Sequence, residues 1–155
     1  MYQYDDLDLQ ILTELDLNAR ISITELARHL DCPTSTVRDR IKALEESEVI
    51  QGYSANINPR KLGFSIKAII QVSRDPAVPV ENILAEADTA LEFIDVQIIT
   101  GIVDELVTIY ARDVDHLKEI LYARFGKFEG VENWSTAIVL DERNYPFSRI
   151  FHLNE

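Results

Sequence analysis

The N-terminal fold is decided by residues 22–46, which read SITELARHLDCPTSTVRDRIKALEE. Ser22 and Glu25 have the spacing of a capping box, in which a hydroxyl and a carboxylate satisfy the first backbone amides of a helix. Apolar side chains then recur at i, i+3, i+4 and i+7, the spacing of one helical face. They are Ile23, Leu26, Ala27 and Leu30. This pattern predicts a short helix that is interrupted at residues 31–33.

A second helix is predicted to follow at once, because Pro33 suits the first turn of a helix. It runs to about residue 47, and its inward face carries Val37, Ile41 and Leu44. A thiol is a poor cap, so we expect Asp31 to cap this helix in place of Cys32. Cys32 is then either a packed side chain or a thiol activated by the helix N-terminus.

Two further patterns flank this pair of helices. Upstream, a third apolar stripe consists of Leu7, Ile11, Leu12 and Leu15, and acidic residues at positions 5, 6 and 8 suit the positive N-terminal end of a helix. Downstream, residues 49–58 surround Gly52 and predict a short hairpin or wing. Three helices with a tight connection before the last one are typical of a helix-turn-helix.

The outward face of the helix after Pro33 carries small hydroxyls first and basic residues after them. On a helical wheel the residues opposite the apolar stripe are Ser35, Asp39, Lys42 and Glu46. Thr36 and Arg38 flank this face, and Arg40 lies nearer the core edge. Such side chains suit the major groove of DNA and its phosphates. The predicted DNA contacts are Thr34, Ser35, Thr36, Arg38, Asp39, Arg40 and Lys42. A solvated amphipathic helix is the alternative.

Asp39 is the residue of this face least suited to DNA, because phosphates repel a carboxylate. Its side chain either accepts a hydrogen bond from a cytosine amino group or holds Arg38 or Lys42 in position. The sequence leaves both roles open.

The second half of the chain alternates between strand and helix patterns. Strands with period two are predicted at residues 64–72, 94–98, 106–111 and 134–140. The first intervening helix has a stripe of Val80, Ile83, Leu84, Ala87 and Leu91. The second begins after Asp113 and carries Val114, Leu117, Leu121, Phe125 and Phe128. The order βαββαβ predicts a ferredoxin-like antiparallel sheet with both helices on one face, so the fold class is α+β.

The other face of this sheet also needs a cover. Outward positions are predicted to be apolar at Ile69, Ile99, Val107 and Val139. We therefore expect a second copy of the sheet to cover them, which makes the protein a dimer. The alternative cover is the C-terminal tail, residues 145–155.

Composition excludes several classes of protein. No run of about 18 apolar residues predicts a membrane span, and Met1-Tyr2-Gln3 does not begin a signal peptide. One cysteine in 155 residues excludes an internal disulfide, which favours a cytoplasmic protein. No pattern predicts a metal site, a cofactor or catalytic residues. The net charge of −12 argues against a protein that coats nucleic acid. Residues 1–62 hold 7 basic and 11 acidic residues, a net of −4, so most of the acidity lies in the second half.

The motifs together resemble the Lrp/AsnC, or feast/famine, family of transcriptional regulators. They are residues 7–12, 20–22, 25–27, 33–45 and 49–53 in the first half and Thr100-Gly101-Ile102-Val103-Asp104 in the second. The resemblance implies residues 1–53 as a helix-turn-helix domain, 54–63 as a linker, and 64–155 as a ligand-sensing and oligomerisation domain. It further implies double-stranded DNA with palindromic sites, a homodimer that assembles into higher oligomers such as octamers, and an amino-acid effector.

The effector site implied by the resemblance lies at the turn around Gly101. Backbone amides exposed by a glycine turn suit a carboxylate, and Asp104 suits an α-amino group. The predicted effector residues are Thr100, Gly101, Ile102, Asp104 and Thr136. A plain hairpin with a solvated Asp104 is the alternative.

Two rival functions remain open at this stage. A tetrapyrrole decarboxylase of similar build would use basic and histidine side chains, but His29, His116 and His152 are scattered through the sequence. A ligand-binding protein whose helix-turn-helix has lost DNA binding is the second rival, and Asp39 and the acidity favour it.

Overall fold

The computed structural model describes residues 3–126 and 130–152. The backbone divides into two units, Met1–Asn56 with Arg143–Glu155, and Ile57–Glu142. In the part of the chain described, no helix is long and apolar enough to cross a bilayer.

The first unit is built on three helices. They are α1 (Asp6–Leu17), α2 (Ile23–His29) and α3 (Thr34–Glu46). Their buried core consists of Ile11, Leu26, Ala27, Val37 and Leu44. These are members of the three stripes predicted from periodicity, so the helix-turn-helix arrangement is confirmed.

The reciprocal capping box forms at a different helix from the predicted one. Asp5 accepts from the backbone amide of Asp8 at 3.1 Å, and Asp8 accepts from that of Asp5 at 3.0 Å. At α2 only half of the motif is present, where the Ser22 hydroxyl accepts from the Glu25 amide at 3.1 Å. Asp5 and Asp8 lie three positions apart at the start of α1, and this spacing also indicates a capping box.

The turn between α2 and α3 corrects the expected cap. No described side chain forms a capping hydrogen bond to α3, and Pro33 occupies the N-cap position. Asp31 instead adopts a left-handed φ of 47°, a conformation that aspartate tolerates better than most residues. The Cys32 amide donates to Ala27 at 2.9 Å, and the half-buried Cys32 side chain packs against the core. Asp31 thus makes the turn and does not cap the helix.

The predicted hairpin at residues 49–58 is absent. Within the described chain this segment has no strand and no ladder of backbone hydrogen bonds. The Ile50 amide donates to Leu44 at 3.0 Å, and the Tyr53 hydroxyl donates to the Glu45 carboxylate at 2.9 Å. These contacts join the segment to the end of α3.

The C-terminal tail packs with the first unit. A 3₁₀ helix, Phe147–His152, lies against α1, and the Ser148 amide donates to the Asp16 carboxylate at 2.7 Å. The sequence-based division had assigned this tail to the second domain. Hydrogen bonding and the apolar side chains of Phe147 and Phe151, which line a groove with Leu12, join it to α1 instead.

Among its described residues the second unit contains four antiparallel strands and two α-helices, which follow a short 3₁₀ helix at Pro59–Leu62. In chain order they are β1 (Ile66–Arg74), α4 (Val80–Ala87), β2 (Phe93–Ile98), β3 (Glu105–Ala111), α5 (Val114–Arg124) and β4 (Val131–Ile138). The strand order in the sheet is β2-β3-β1-β4. This order confirms the ferredoxin-like α+β fold.

Both helical stripes of this unit need correction. Leu91 lies beyond the end of α4 and is 91% exposed, and Val114 is 53% exposed, so neither contributes to the core. Buried residues of α5 are Leu117, Ile120 and Leu121, with Phe125 following at its end. Phe128 and the side chain of Ile83 lie outside what the structure describes.

The two faces of the sheet differ in burial. Ala68, Ile70 and Val72 of β1 are buried with Val107 and Ile109 of β3 and with the α5 residues. Val107 had been predicted to point outward, and its burial corrects that prediction. The opposite face, which we call the open face, includes Ile69, which pairs with Thr108 on one side and Ala137 on the other. Its residues are half-buried or exposed in the single chain.

Candidate nucleic-acid interface and effector loop

The exposed face of α3 matches the face predicted from the helical wheel. Val37 and Leu44 have no exposed surface, and the opposite side of the helix exposes Ser35, Arg38, Asp39 and Lys42. Thr34 and Thr36 are half-buried. The core of the unit therefore holds α3 by one side and leaves the other side for a partner.

The charges on this face are sparsely paired. Lys42 lies 3.5 Å from Glu46, and both side chains are largely exposed. Within the described residues Arg38 and Asp39 have no ion pair or hydrogen bond from their side chains. A pair as exposed as Lys42–Glu46 contributes little to stability, so Lys42 can exchange its partner at small cost.

Arg40 has a different environment from the one expected. Its guanidinium lies 2.8 Å from the Asp5 carboxylate and 3.1 Å from the Asp8 carboxylate. The hydrogen bond from the Asp8 amide, together with Arg40, holds the pKa of Asp5 below its usual value. Arg40 joins α3 to the start of α1, which gives it a structural role. Its contact with DNA stays a prediction.

The end of α3 is held by the tyrosine of the following segment. Tyr53 donates its hydroxyl hydrogen to Glu45 at 2.9 Å. Burial, followed by the adjacent Glu45 carboxylate, raises the pKa of Tyr53 to about 12. The phenol is therefore neutral at physiological pH and remains a hydrogen-bond donor.

The predicted effector residues lie mostly in the loop between β2 and β3. Thr100, Gly101 and Ile102 are exposed, and Gly101 has a φ of 152° with open space around it. The loop is closed by two backbone hydrogen bonds of Asp104, which accepts from Ile99 at 2.8 Å and donates to Val72 at 2.9 Å. Thr136 lies on β4, on the far side of β1 from this loop, and no hydrogen bond joins it to the loop in the described chain. The structure thus brings four of the five residues together.

The Asp104 carboxylate is not simply solvated. One of its oxygens, Oδ2, accepts from the backbone amide of Arg74 at 2.8 Å. The same arginine donates from Nε to Glu105 at 3.1 Å and from Nη1 to the Val78 carbonyl at 2.7 Å. Arg74 therefore connects the loop, the start of β3 and the segment before α4.

Glu105 is fully buried on the covered face of the sheet. Its Oε1 is bound by Arg74, and its Oε2 has no hydrogen-bond partner among the described residues. Burial raises the pKa of Glu105, although the positive charge of Arg74 opposes this shift. Sequence reasoning missed Glu105, Arg74 and Asp8. The sequence pattern that could have indicated two of them is a charged residue on the same face as buried apolar residues. Glu105 lies two positions before Val107 on a strand, and Asp8 lies three positions before Ile11 on a helix.

Comparison with known proteins matches both units. The profile described as winged helix-turn-helix DNA-binding matches residues 4–51, and the profile described as Lrp/AsnC ligand binding domain matches residues 67–146. The HTH-type transcriptional regulator LrpA of Pyrococcus horikoshii is 37% identical over 139 residues, which cover 89% of this chain and 97% of that protein. The chain belongs to the Lrp/AsnC family of transcriptional regulators.

Solved structures of related proteins have the same fold as this regulator. A transcriptional regulator from Neisseria meningitidis, in complex with L-Met, superposes with a TM-score of 0.89 at 24% identity and covers 94% of this chain and 96% of its own. A feast or famine regulatory protein from M. tuberculosis, complexed with L-methionine, gives a TM-score of 0.83 at 26% identity, with 91% and 95% covered. The regulator shares the two-part fold of these proteins over more than nine tenths of its length.

Proposed function

We propose that this family member regulates transcription by placing α3 in the major groove of DNA, with Ser35, Arg38, Asp39 and Lys42 toward the bases and phosphates. The observation that carries this proposal is the one-sided burial of α3, whose core side is closed and whose hydroxyl and basic side is exposed. A recognition helix inserts with its N-terminal residues nearest the bases. The half-buried Thr34 and Thr36 lie in that first turn.

Two copies of α3 would engage two half-sites of a palindromic sequence. Helix-turn-helix dimers contact successive major grooves about 34 Å apart, so the symmetry of the site follows from the symmetry of the protein. The open face of the sheet is the surface that we assign to the dimer. Its apolar members are Ile69, Leu106, Tyr110, Ala137 and Val139.

The charge on the open face is compatible with such an interface. Lys67 forms an ion pair with Glu142 at 2.6 Å, and its Nζ lies 5.8 Å from the centre of the Tyr110 ring. The bond to Glu142 raises the pKa of Lys67. A lysine neutralised within its own chain costs less to cover than an unpaired one. Association of such dimers into octamers is the larger assembly that we expect.

We assign the loop around Gly101 to an amino-acid effector. The exposed backbone at Thr100 and Gly101 supplies amide donors for a carboxylate, and Oδ1 of Asp104, which has no partner among the described residues, suits an ammonium group. Two relatives are described as complexes with L-methionine, which supports an effector of this class. A ligand that binds one state of assembly better would shift the population toward it.

Recovery of bound DNA from the fragmented parent genome tests the proposal. We expect enrichment of a small set of sequences with two-fold symmetry, and the Arg38→Ala variant should lose that enrichment. Enrichment of no sequence would favour the rival in which the helix-turn-helix has lost DNA binding. Titration with a porphyrin tests the decarboxylase rival, since a change in the absorption spectrum would support it.

A further inference from the structure

We propose that Asp39 determines sequence specificity by accepting a hydrogen bond from the exocyclic amino group of a cytosine in the major groove. This inference rests on the proposed function, because it requires α3 to lie in that groove. It assigns to one carboxylate the recognition of a C·G base pair in each half-site.

The position of Asp39 on α3 supports a contact with bases. It lies one turn after the exposed Ser35 and three residues before Lys42, on the side opposite the buried Val37 and Leu44. The helix rises about 1.5 Å per residue, so Asp39 stands about 7.5 Å from the start of α3 at Thr34. That is within the N-terminal half of the helix, the part that contacts base edges in this motif.

In this structure Asp39 does not hold a basic neighbour, because no described basic side chain is paired with it. Lys42 is directed to Glu46 at 3.5 Å, and Arg40 is bound by Asp5 at 2.8 Å and by Asp8. No side-chain hydrogen bond or ion pair joins Asp39 to Arg38 in the described part of the chain. The Asp39 carboxylate therefore keeps both of its oxygens available to a donor that comes from outside the protein.

Chemistry then selects the donor. An ionised carboxylate only accepts hydrogen bonds, and the bases offer two donors in the major groove, the amino groups of cytosine and adenine. Beside the adenine amino group lies N7, an acceptor that repels a carboxylate, whereas cytosine has no acceptor at that edge. Elsewhere on DNA the carboxylate meets phosphates and base acceptors, which repel it. Asp39 thus lowers affinity for most sequences and restores it where a cytosine is correctly placed.

The experiment measures binding of the full-length protein to its selected site and to that site with each base pair of a half-site changed in turn. Asp39→Ala should reduce discrimination at one position by about tenfold or more. The same variant should bind unrelated DNA more tightly than the wild type, because one repulsive charge is gone. Asp39→Asn should change the preference at that position from cytosine to adenine, since an amide pairs with both N6 and N7 of adenine.

Glu46→Gln is the matched control. Glu46 lies two turns further along the same exposed stripe, near the end of α3, and its replacement removes the same charge. We expect it to raise affinity for all sequences alike. Thermal unfolding of each variant should match the wild type, because the Asp39 side chain is exposed without a hydrogen bond or ion pair among the described residues, and the Glu46 ion pair is largely exposed.

Two results would overturn the proposal, and they differ from each other. A wild type that binds no sequence selectively would end both the proposed function and this inference. A selective wild type whose preference is unchanged by both Asp39 variants would end this inference alone and leave α3 as the DNA-contacting helix.

Discussion

The guanidinium of Arg40 in α3 lies 3.1 Å from the carboxylate of Asp8 in α1, a side chain with no exposed surface. The two residues are 32 positions apart in the sequence. A buried carboxylate is stabilised by a cationic partner, and removal of that partner destabilises the folded protein. This pair therefore fixes how α3, the predicted recognition helix, packs on α1.

Arg40→Met tests this role by unfolding in urea at pH 7. We expect the free energy of unfolding to fall by about 2 kcal/mol, because Asp8 loses a charged hydrogen bond while methionine keeps most of the apolar stem. Lys42→Met is the control, since the ion pair of Lys42 is exposed and should contribute little. Equal stability of the two variants would contradict the structural role of Arg40.

Arg38→Ala and Lys42→Ala should weaken DNA binding without loss of stability. Both side chains are exposed on α3, away from Val37 and Leu44. If each neutralises a phosphate, the slope of log affinity against log salt should fall by about one unit per substitution. Lys118→Ala, which removes an exposed lysine of α5, is the matched control. An unchanged slope in both α3 variants would move the DNA interface elsewhere.

Ile69→Lys should dissociate the dimer. Ile69 lies at the centre of the open face, between Thr108 and Ala137, where a charge would be buried without a partner. Sedimentation at micromolar concentration should detect a folded monomer. Tyr122→Lys places the same charge on α5 at a residue that is 71% exposed and should leave assembly unchanged. A dimeric Ile69→Lys protein would show that another surface forms the interface.

Asp104→Asn should abolish binding of an amino acid while keeping the loop folded. Asparagine retains an oxygen that accepts from the Arg74 amide, as Asp104 does at 2.8 Å, but it lacks the charge that attracts an ammonium group. Calorimetry measures binding of each of the twenty amino acids to the wild type. Any amino acid that binds is then titrated into Asp104→Asn. Asp88→Asn, which changes an exposed aspartate, serves as the control. Retention of ligand by Asp104→Asn would exclude Asp104 as the counter-charge.

Glu105→Gln should become more stable relative to the wild type as pH rises from 4 to 7. Burial raises the folded-state pKa of Glu105 above its ordinary value of 4.5, so the folded protein binds the proton more tightly than the unfolded chain. Glu105 therefore stabilises the folded protein most below pH 4.5, and this stabilisation is lost as pH rises through the raised pKa. Urea unfolding at several pH values, with the exposed Glu119→Gln as control, measures the difference. If the difference in free energy of unfolding between Glu105→Gln and the wild type does not change with pH, the raised pKa of Glu105 is contradicted.

Local periodicity carried much of the prediction. The apolar stripes of α1, α2 and α3, and the alternation in β1, β3 and β4, depend on residues within a few positions of each other, so helix and strand type could be read directly. The order of elements then limited the second unit to one common topology. The exposed side of α3 followed from the same stripe, which is why Ser35, Arg38, Asp39 and Lys42 were found.

The buried face of a strand and the partners of a segment or side chain were harder to predict. In β3 both alternating sets are largely apolar, so the pattern did not decide whether Leu106 or Val107 faces the helices. The hairpin expected around Gly52 depends on a neighbouring strand, and turn residues alone do not supply one. The predicted cap at Asp31 failed because its backbone makes the turn, with a φ of 47°.

What the sequence determined by itself is the helices α1 to α5, the strands β1 to β4 and their ferredoxin-like order, the family and the exposed side of α3, because each follows from short-range spacing or from motifs. Only the tertiary structure decided that Arg40 belongs to Asp5 and Asp8, that Arg74 joins Asp104 to Glu105, and that the tail packs on α1. These contacts join residues 30 to 132 positions apart, from Arg74–Asp104 to Asp16–Ser148. These pairs form because the folded chain brings distant residues together and because burying a charge without a partner is costly. Neither effect produces a periodic pattern in the sequence.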